Sequence, residues 1–138
     1  MARQALKIEK PLYGYSKIIN KLKIEEYQFD NLISLAIPLS SERKCRLNFK
    51  KSLGASMPDI EKSIITKSGV LGFRIGLDSL FVCSSTNFSF SRKTVPLLKQ
   101  AFYITDQTGG WCGIRVEGEK VIEMLERICP LNLSIKFF

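Results

Sequence analysis

No histidine occurs anywhere in the 138 residues of this chain. Imidazole is the side chain most often used for general acid–base catalysis near neutral pH, and it is the commonest transition-metal ligand. A cysteine nucleophile would also lack its usual base. We therefore expect neither a catalytic centre nor a metal site within this chain.

Cysteine is sparse and widely spaced. The four residues Cys45, Cys83, Cys112 and Cys129 are separated by 38, 29 and 17 positions, whereas zinc sites pair their ligands two to four residues apart. Strand alternation places Cys112 on an apolar face, and helical periodicity does the same for Cys129. The sequence predicts thiols that pack in the core rather than react.

Long apolar segments are also missing. The longest, Leu32 to Leu39, is eight residues with a serine inside it, and a membrane-spanning helix needs about 20. The first ten residues contain no apolar region typical of a secretory signal. We expect a cytoplasmic protein without a membrane partner.

Acidic residues are few, with 13 against 21 cations, which gives a net charge of +8. This charge indicates either an anionic partner or a lysine-rich soluble surface. Fourteen of the cations are lysine, although specific phosphate and base recognition favours arginine. The densest cluster spreads around a predicted helix rather than lining one face: Arg43, Lys44, Arg46, Lys50 and Lys51. The soluble surface is the favoured interpretation, so no nucleic-acid partner is expected.

The apolar periodicity predicts an α+β fold with an antiparallel-rich sheet and helices packed on one face. Residues 1–29 form a basic N-terminal arm, which either orders on a partner or frays, and residues 30–138 form a single domain. The predicted order within that domain is β-α-β-β-β-α-β-β-α. Its first helix begins after Ser41 and ends at Gly54, and its second spans Phe90 to Ala101.

A dense local pattern lies in the last third of the chain. A strand ends at Asp106, a glycine-containing turn follows, and alternation resumes after Trp111, which predicts a β-hairpin. Beyond Gly118 the apolar period becomes that of a helix, which Pro130 ends. Asp106 is interpreted as a strand-ending residue bonded to its own turn, and a role as a base or ligand is less favoured. Trp111 fits an interface anchor and a core residue equally well.

The segments DQTGGWCGIRVEG and MLERICPLNL resemble the gamma subunit of heterotetrameric sarcosine oxidase, which has a D-Q-S-x-G-W-like strand and a helix closing in C-P-L-D-L. The matching positions are Asp106, Gln107, Gly110, Trp111, Gly118, Leu125, Cys129, Pro130, Leu131 and Leu133. Weaker matches are FDNLISLAIPL, KKSLGASMP and GVLGFRIGLDSLFV. The resemblance covers roughly residues 30 to 135.

This chain departs from the family in two ways. Leu77, Ser79 and Phe81 stand where the family has Pro, Glu and Trp. Family members also continue beyond the C-P-L segment, so we expect this chain to lack the family's C-terminal part.

The resemblance implies an aminomethyltransferase-type, folate-binding-like domain that has lost its ligand and serves assembly. The family complex oxidises sarcosine to glycine with formation of hydrogen peroxide, and passes the one-carbon unit to tetrahydrofolate or releases it as formaldehyde. The expected partners are the alpha, beta and delta subunits, which would hold the FAD, FMN, NAD and tetrahydrofolate. No catalytic, cofactor or metal residues are expected in this chain. The interface or structural motif is expected to involve Asp106, Gln107, Trp111, Cys129, Pro130 and Leu131.

Two alternatives stay open. One is a free-standing folate-binding protein of the aminomethyltransferase type, although the cysteine-containing K-G-C-Y-x-G-Q-E-like motif of its iron–sulfur-assembly relatives is absent. The other, less favoured, is a basic RNA-binding domain, because aromatic and basic residues do not interleave as in known RNA-binding motifs.

Overall fold

A computed structural model describes residues 9–84 and 94–130. Eight strands and three helices occur in this part of the chain. The strands are β1 (Ser16–Ile19), β2 (Leu22–Tyr27), β3 (Asn31–Ala36), β4 (Ser63–Ile65), β5 (Val70–Arg74), β6 (Ser79–Ser84), β7 (Tyr103–Asp106) and β8 (Gly113–Glu117). The helices are α1 (Glu42–Leu53), α2 (Thr94–Lys99) and α3 (Val121–Glu126). From β3 onward this is the predicted order, and the α+β class with antiparallel sheets is confirmed.

The chain divides by its internal contacts into two units. Within the described residues, the smaller unit comprises residues 9–28 and 109–130, and the larger comprises 29–84 and 94–108. The predicted division into an N-terminal arm, residues 1–29, and a single domain, residues 30–138, stays a prediction.

The larger unit is built on a five-stranded antiparallel sheet in the order β4-β5-β6-β3-β7. One face of this sheet packs against helices α1 and α2, and together they form a single apolar cluster. Its fully buried members include Leu35 of β3, Phe49 of α1, Leu80 of β6 and Leu98 of α2. Successive strand residues point to opposite faces of the sheet. Leu32, Phe81 and Cys83, which are sequence neighbours of core residues, therefore form a second buried cluster on the opposite face.

Helix α1 has the ends that the sequence predicts. Gly54 adopts a left-handed conformation with φ of 71°, and its N–H donates to the Lys50 carbonyl, as expected of a helix-ending glycine. Ser41 occupies the N-cap position, but its hydroxyl donates to the Leu39 carbonyl at 3.3 Å and not to a helix N–H. Helix α2 is described only from Thr94, and the first part of the predicted second helix lies outside the described residues.

The smaller unit contains a three-stranded antiparallel sheet in the order β1-β2-β8. Asn20 and Lys21, which connect β1 to β2, both have positive φ, at 50° and 65°, as in the two-residue turns that match the twist of a hairpin. Gly118 follows β8 with φ of 142°, and a Cβ atom there would lie 2.5 Å from the Lys21 carbonyl oxygen. A side chain at position 118 would therefore displace the β1–β2 turn.

Residues 16–27, which belong to the predicted N-terminal arm, form the paired strands β1 and β2. Two sequence predictions are wrong. Strands β7 and β8 do not pair with each other, because β7 pairs with β3 and β8 pairs with β2. Helix α3 ends at Glu126, before the apolar residues Ile128 and Cys129, and none of its residues is buried.

Replacing Phe49 with alanine tests the core of the larger unit. Phe49 has no solvent exposure, so Phe49→Ala leaves a cavity and should lower the free energy of unfolding by about 3–5 kcal/mol. Urea denaturation of the purified chain measures this. Leu47→Ala, at an exposed position of the same helix, is the matched control and should change stability by less than about 0.5 kcal/mol. Equal losses in both variants would contradict the packing described above.

Candidate partner-binding surface

The turn after β7 is held by Asp106. Its Oδ1 accepts hydrogen bonds from the Thr108 N–H at 2.9 Å and from the Thr108 hydroxyl at 2.7 Å. These bonds hold the pKa of Asp106 below its usual value. The carboxylate therefore stays ionised near neutral pH and stabilises the turn, which is the structural interpretation favoured from the sequence.

The same turn is bonded to the sheet. The Gln107 N–H donates to the Leu32 carbonyl at 2.8 Å, and the Leu32 N–H donates to the Thr108 hydroxyl oxygen at 3.0 Å. Residues 107 and 108 thus continue alongside β3 after the β7 ladder ends. This attachment explains why the chain does not reverse into the predicted hairpin.

The rest of the predicted motif lies in the smaller unit. Trp111 is 56% exposed, so it does not plug a core. Cys112 is also exposed, contrary to the prediction, while Cys129 is half-buried and its N–H donates to the Leu125 carbonyl at 2.8 Å. Pro130 is exposed, and Leu131 lies outside the described residues. The motif is thus divided between the two units, and its role at an interface stays a prediction.

The two buried thiols are held in the core of the larger unit. The Cys45 thiol donates to the Ala101 carbonyl at 3.1 Å, which ties α1 to the segment after α2. Burial raises the pKa of Cys45, and it raises the pKa of Cys83 to about 11. Both groups are therefore protonated near neutral pH and are poor nucleophiles.

A buried arginine that the sequence did not single out organises one end of the larger unit. The Arg74 side chain is only 2% exposed. Its guanidinium donates to Glu42 Oε1 at 3.0 Å, to the Gly76 carbonyl at 3.0 Å and to the Leu77 carbonyl. The group thereby joins β5 to the first turn of α1 and to the loop between β5 and β6.

Glu42 also accepts hydrogen bonds from a second arginine. Arg46 donates to the same Oε1 atom at 2.9 and 3.1 Å, and also reaches Asp59 at 3.3 Å. The hydrogen bond from Arg74, and then that from Arg46, hold the pKa of Glu42 below its usual value. Glu42 is therefore ionised at neutral pH and shared between the two guanidinium groups.

The loop held by Arg74 displays apolar side chains. Ile75 is 56% exposed and Leu77 is 77% exposed, although the carbonyls of Gly76 and Leu77 are fixed from beneath. The Ile37 N–H donates to the Asp78 carbonyl at 2.7 Å, so this loop leaves the sheet beside the segment that carries the 96% exposed Leu39. We call Leu39, Ile75 and Leu77 the apolar end; exposed apolar side chains on neighbouring segments are typical of protein–protein contacts.

The smaller unit contains an open cleft of about 560 Å³. It is lined by Asn20, Lys21, Leu22, Glu119, Lys120, Glu123, Met124 and Arg127. Two of these residues, Glu123 and Arg127, form an ion pair at 2.9 Å. The cleft has mixed charge, and nothing in its chemistry favours one ligand.

Within residues 9–84 and 94–130, no group of three or more acidic or cysteine side chains is placed to hold a metal ion. None of the three described helices is long and apolar enough to cross a membrane.

The fold is similar to that of a known protein. It matches a chain of heterotetrameric sarcosine oxidase from Corynebacterium sp. U-96, determined in complex with pyrrole 2-carboxylate, with a TM-score of 0.67 and 17% sequence identity. The match covers 87% of this chain but 63% of that chain, so this chain spans less than two thirds of its length. At this identity the likeness shows a shared fold. No protein-family model and no curated protein matches the sequence.

Removing the buried guanidinium should weaken the larger unit. Arg74→Met leaves the Gly76 and Leu77 carbonyls without their charged donor, and we expect the free energy of unfolding to fall by about 2–4 kcal/mol. Urea denaturation measures the loss. Arg127→Met removes an exposed ion pair and should cost less than about 1 kcal/mol. Similar midpoints for Arg74→Met and the wild-type chain would show that the network does not support the fold.

The lowered pKa of Glu42 predicts a pH dependence. A carboxyl whose pKa is depressed in the folded state stabilises the fold above its unfolded pKa of about 4.3, and this contribution is lost as the pH falls through the folded value. The difference in Tm between the wild-type chain and Glu42→Gln should be largest near neutral pH and shrink below about pH 4.

Thermal denaturation across this pH range tests the Glu42 prediction. Glu126→Gln is the control, since Glu126 is exposed and forms no ion pair within the described parts of the chain. A Tm difference for Glu42→Gln that is constant with pH would contradict the assignment.

Proposed function

We propose that this chain is a non-catalytic structural subunit of a sarcosine oxidase complex, in the position of the family's gamma subunit. The observation that supports this most strongly is the fold similarity to a chain of heterotetrameric sarcosine oxidase over 87% of this chain. The sequence resemblance between Asp106 and Leu133 points to the same family. Neither depends on a catalytic group in this chain.

The polar groups that a catalytic centre would use have structural partners here. Glu42 binds Arg74 and Arg46, Asp106 binds Thr108, and burial keeps the Cys45 thiol protonated. These contacts are expected of a subunit that contributes a binding surface to a complex rather than reactive groups. The complex as a whole would convert sarcosine to glycine, with hydrogen peroxide formed and the one-carbon unit passed to tetrahydrofolate or released as formaldehyde.

In this proposal the apolar end meets the larger subunits. Burying exposed leucine and isoleucine side chains supplies association free energy at about 25 cal/mol per Å² of apolar surface. Because the buried guanidinium of Arg74 fixes the loop backbone, little conformational entropy remains to be lost on docking. FAD, FMN, NAD and tetrahydrofolate would belong to the alpha, beta and delta partners.

Co-expression of the tagged chain with the large flavoprotein subunits from its own source tests this function. A yellow complex of fixed stoichiometry, measured by native mass and flavin absorbance, is the expected result. A colourless monomer would contradict the proposal. Calorimetric titration with tetrahydrofolate would then test the free-standing folate-binding alternative.

Two matched substitutions locate the contact. Leu77→Asp should weaken assembly at least about tenfold without lowering the Tm of the free chain, because it places a charge in the buried part of the interface. Ile65→Asp is the control, since Ile65 is 76% exposed on the edge strand β4, where charge is well tolerated. Size-exclusion titration of both variants against the partner subunits measures the effect. Equal weakening, or none in either variant, would exclude the apolar end as the contact.

A further inference from the structure

The exposed side of α1 carries four basic residues around one leucine. At about 100° per residue, positions 43, 44, 47, 50 and 51 fall within roughly 120° of the helix circumference. All five side chains are exposed: Arg43, Lys44, Leu47, Lys50 and Lys51. We call these residues the basic stripe. The sequence suggested that the cations spread around the helix, but the structure directs Arg46 to Glu42 and Asp59 and leaves the other four on one face.

No carboxylate neutralises the stripe within the described residues. Glu42, the acidic residue of this helix, is turned toward Arg74 and Arg46. None of the four stripe cations forms an ion pair with any residue in the ranges 9–84 and 94–130. The face therefore keeps four uncompensated positive charges over about two and a half turns of the helix.

The residue at the centre of this face is apolar. Leu47 is 55% exposed and lies midway between the four cations around the helix. The lysine stems on either side are also apolar along their length. The face thus combines a small apolar centre with a charged rim, which is the organisation of protein interfaces.

The same features disfavour nucleic acid. Three of the four cations are lysines, which bind phosphate as point charges and lack the bidentate geometry of arginine. The aromatic residue of this helix, Phe49, is fully buried in the core, so α1 offers no ring on which a base could stack.

We propose that the basic stripe docks an acidic segment of a partner protein, with an apolar side chain of that segment set against Leu47. Carboxylates on the partner would meet Arg43, Lys44, Lys50 and Lys51, and would set the orientation and rate of association more than its strength. This extends the proposed function by adding the chemistry of a second contact surface. It does not depend on which complex the partner belongs to.

A synthetic helical peptide carrying glutamates and leucines tests the inference with the full chain. Its fluorescence anisotropy is followed at low salt and at about 0.15 M salt, where exposed charges are screened beyond about 8 Å. Lys50→Glu/Lys51→Glu replaces attraction by repulsion at two positions, and should weaken peptide binding about tenfold at low salt and less at about 0.15 M salt. Leu47→Ala should weaken it several-fold at both salt concentrations.

The matched control is Lys62→Glu/Lys67→Glu, which makes the same charge change at exposed lysines beside β4, outside the stripe. It should leave peptide binding nearly unchanged. Equal loss in the two double variants would show general attraction to a basic protein, and no binding by the wild-type chain would also overturn the inference. Poly(U) bound more tightly than the peptide, and through the stripe, would favour nucleic acid instead.

Co-purification with the flavoprotein subunits separates this inference from the proposed function. If the wild-type chain fails to assemble but binds the peptide through the stripe, the subunit role fails and the docking surface stands. If assembly succeeds and the stripe variants neither assemble more weakly nor lose peptide binding, the inference fails and the subunit role stands.

Discussion

One buried charge determines how the end of the larger unit is built. The Arg74 guanidinium is almost completely removed from water, and such a group is costly unless it is paired and hydrogen-bonded. Glu42 supplies the charge, and the Gly76 and Leu77 carbonyls accept further bonds. Satisfying this one group therefore fixes the start of α1 and the path of the β5–β6 loop together.

Both proposed contact surfaces lie beside that network. The loop whose carbonyls Arg74 holds carries the exposed Leu77 side chain. Glu42 faces Arg74 and its i+4 neighbour Arg46, so its carboxylate lies off the basic stripe of α1. The apolar end and the basic stripe thus begin at the same end of α1.

A feature of this structure could be predicted from the sequence only where the interactions that produce it join residues close together in the chain. Local patterns gave the order of elements from β3 onward, because apolar periodicity and the helix-ending Gly54 act within a few residues. Pairing partners could not be read in this way, since alternation shows that residues 113–117 form a strand but not that β2 is its neighbour. The Arg74 network could not be predicted for the same reason. Glu42 lies 32 positions away, and one arginine in a strand carries no local signal.

The two surfaces would contribute differently to assembly. In the proposed assembly, apolar burial at Leu77 would supply most of the free energy and depend little on salt. The exposed charges on α1 would act over distances near the Debye length and be screened as salt rises. A subunit that used both would associate quickly and in one orientation through its charges, and stay associated through its apolar contacts. Salt should therefore change the association rate of such a complex more than its dissociation rate. A chain that relied on charge alone would also dissociate faster as salt rises, and this change in dissociation rate distinguishes a basic protein held by general attraction from a docked subunit.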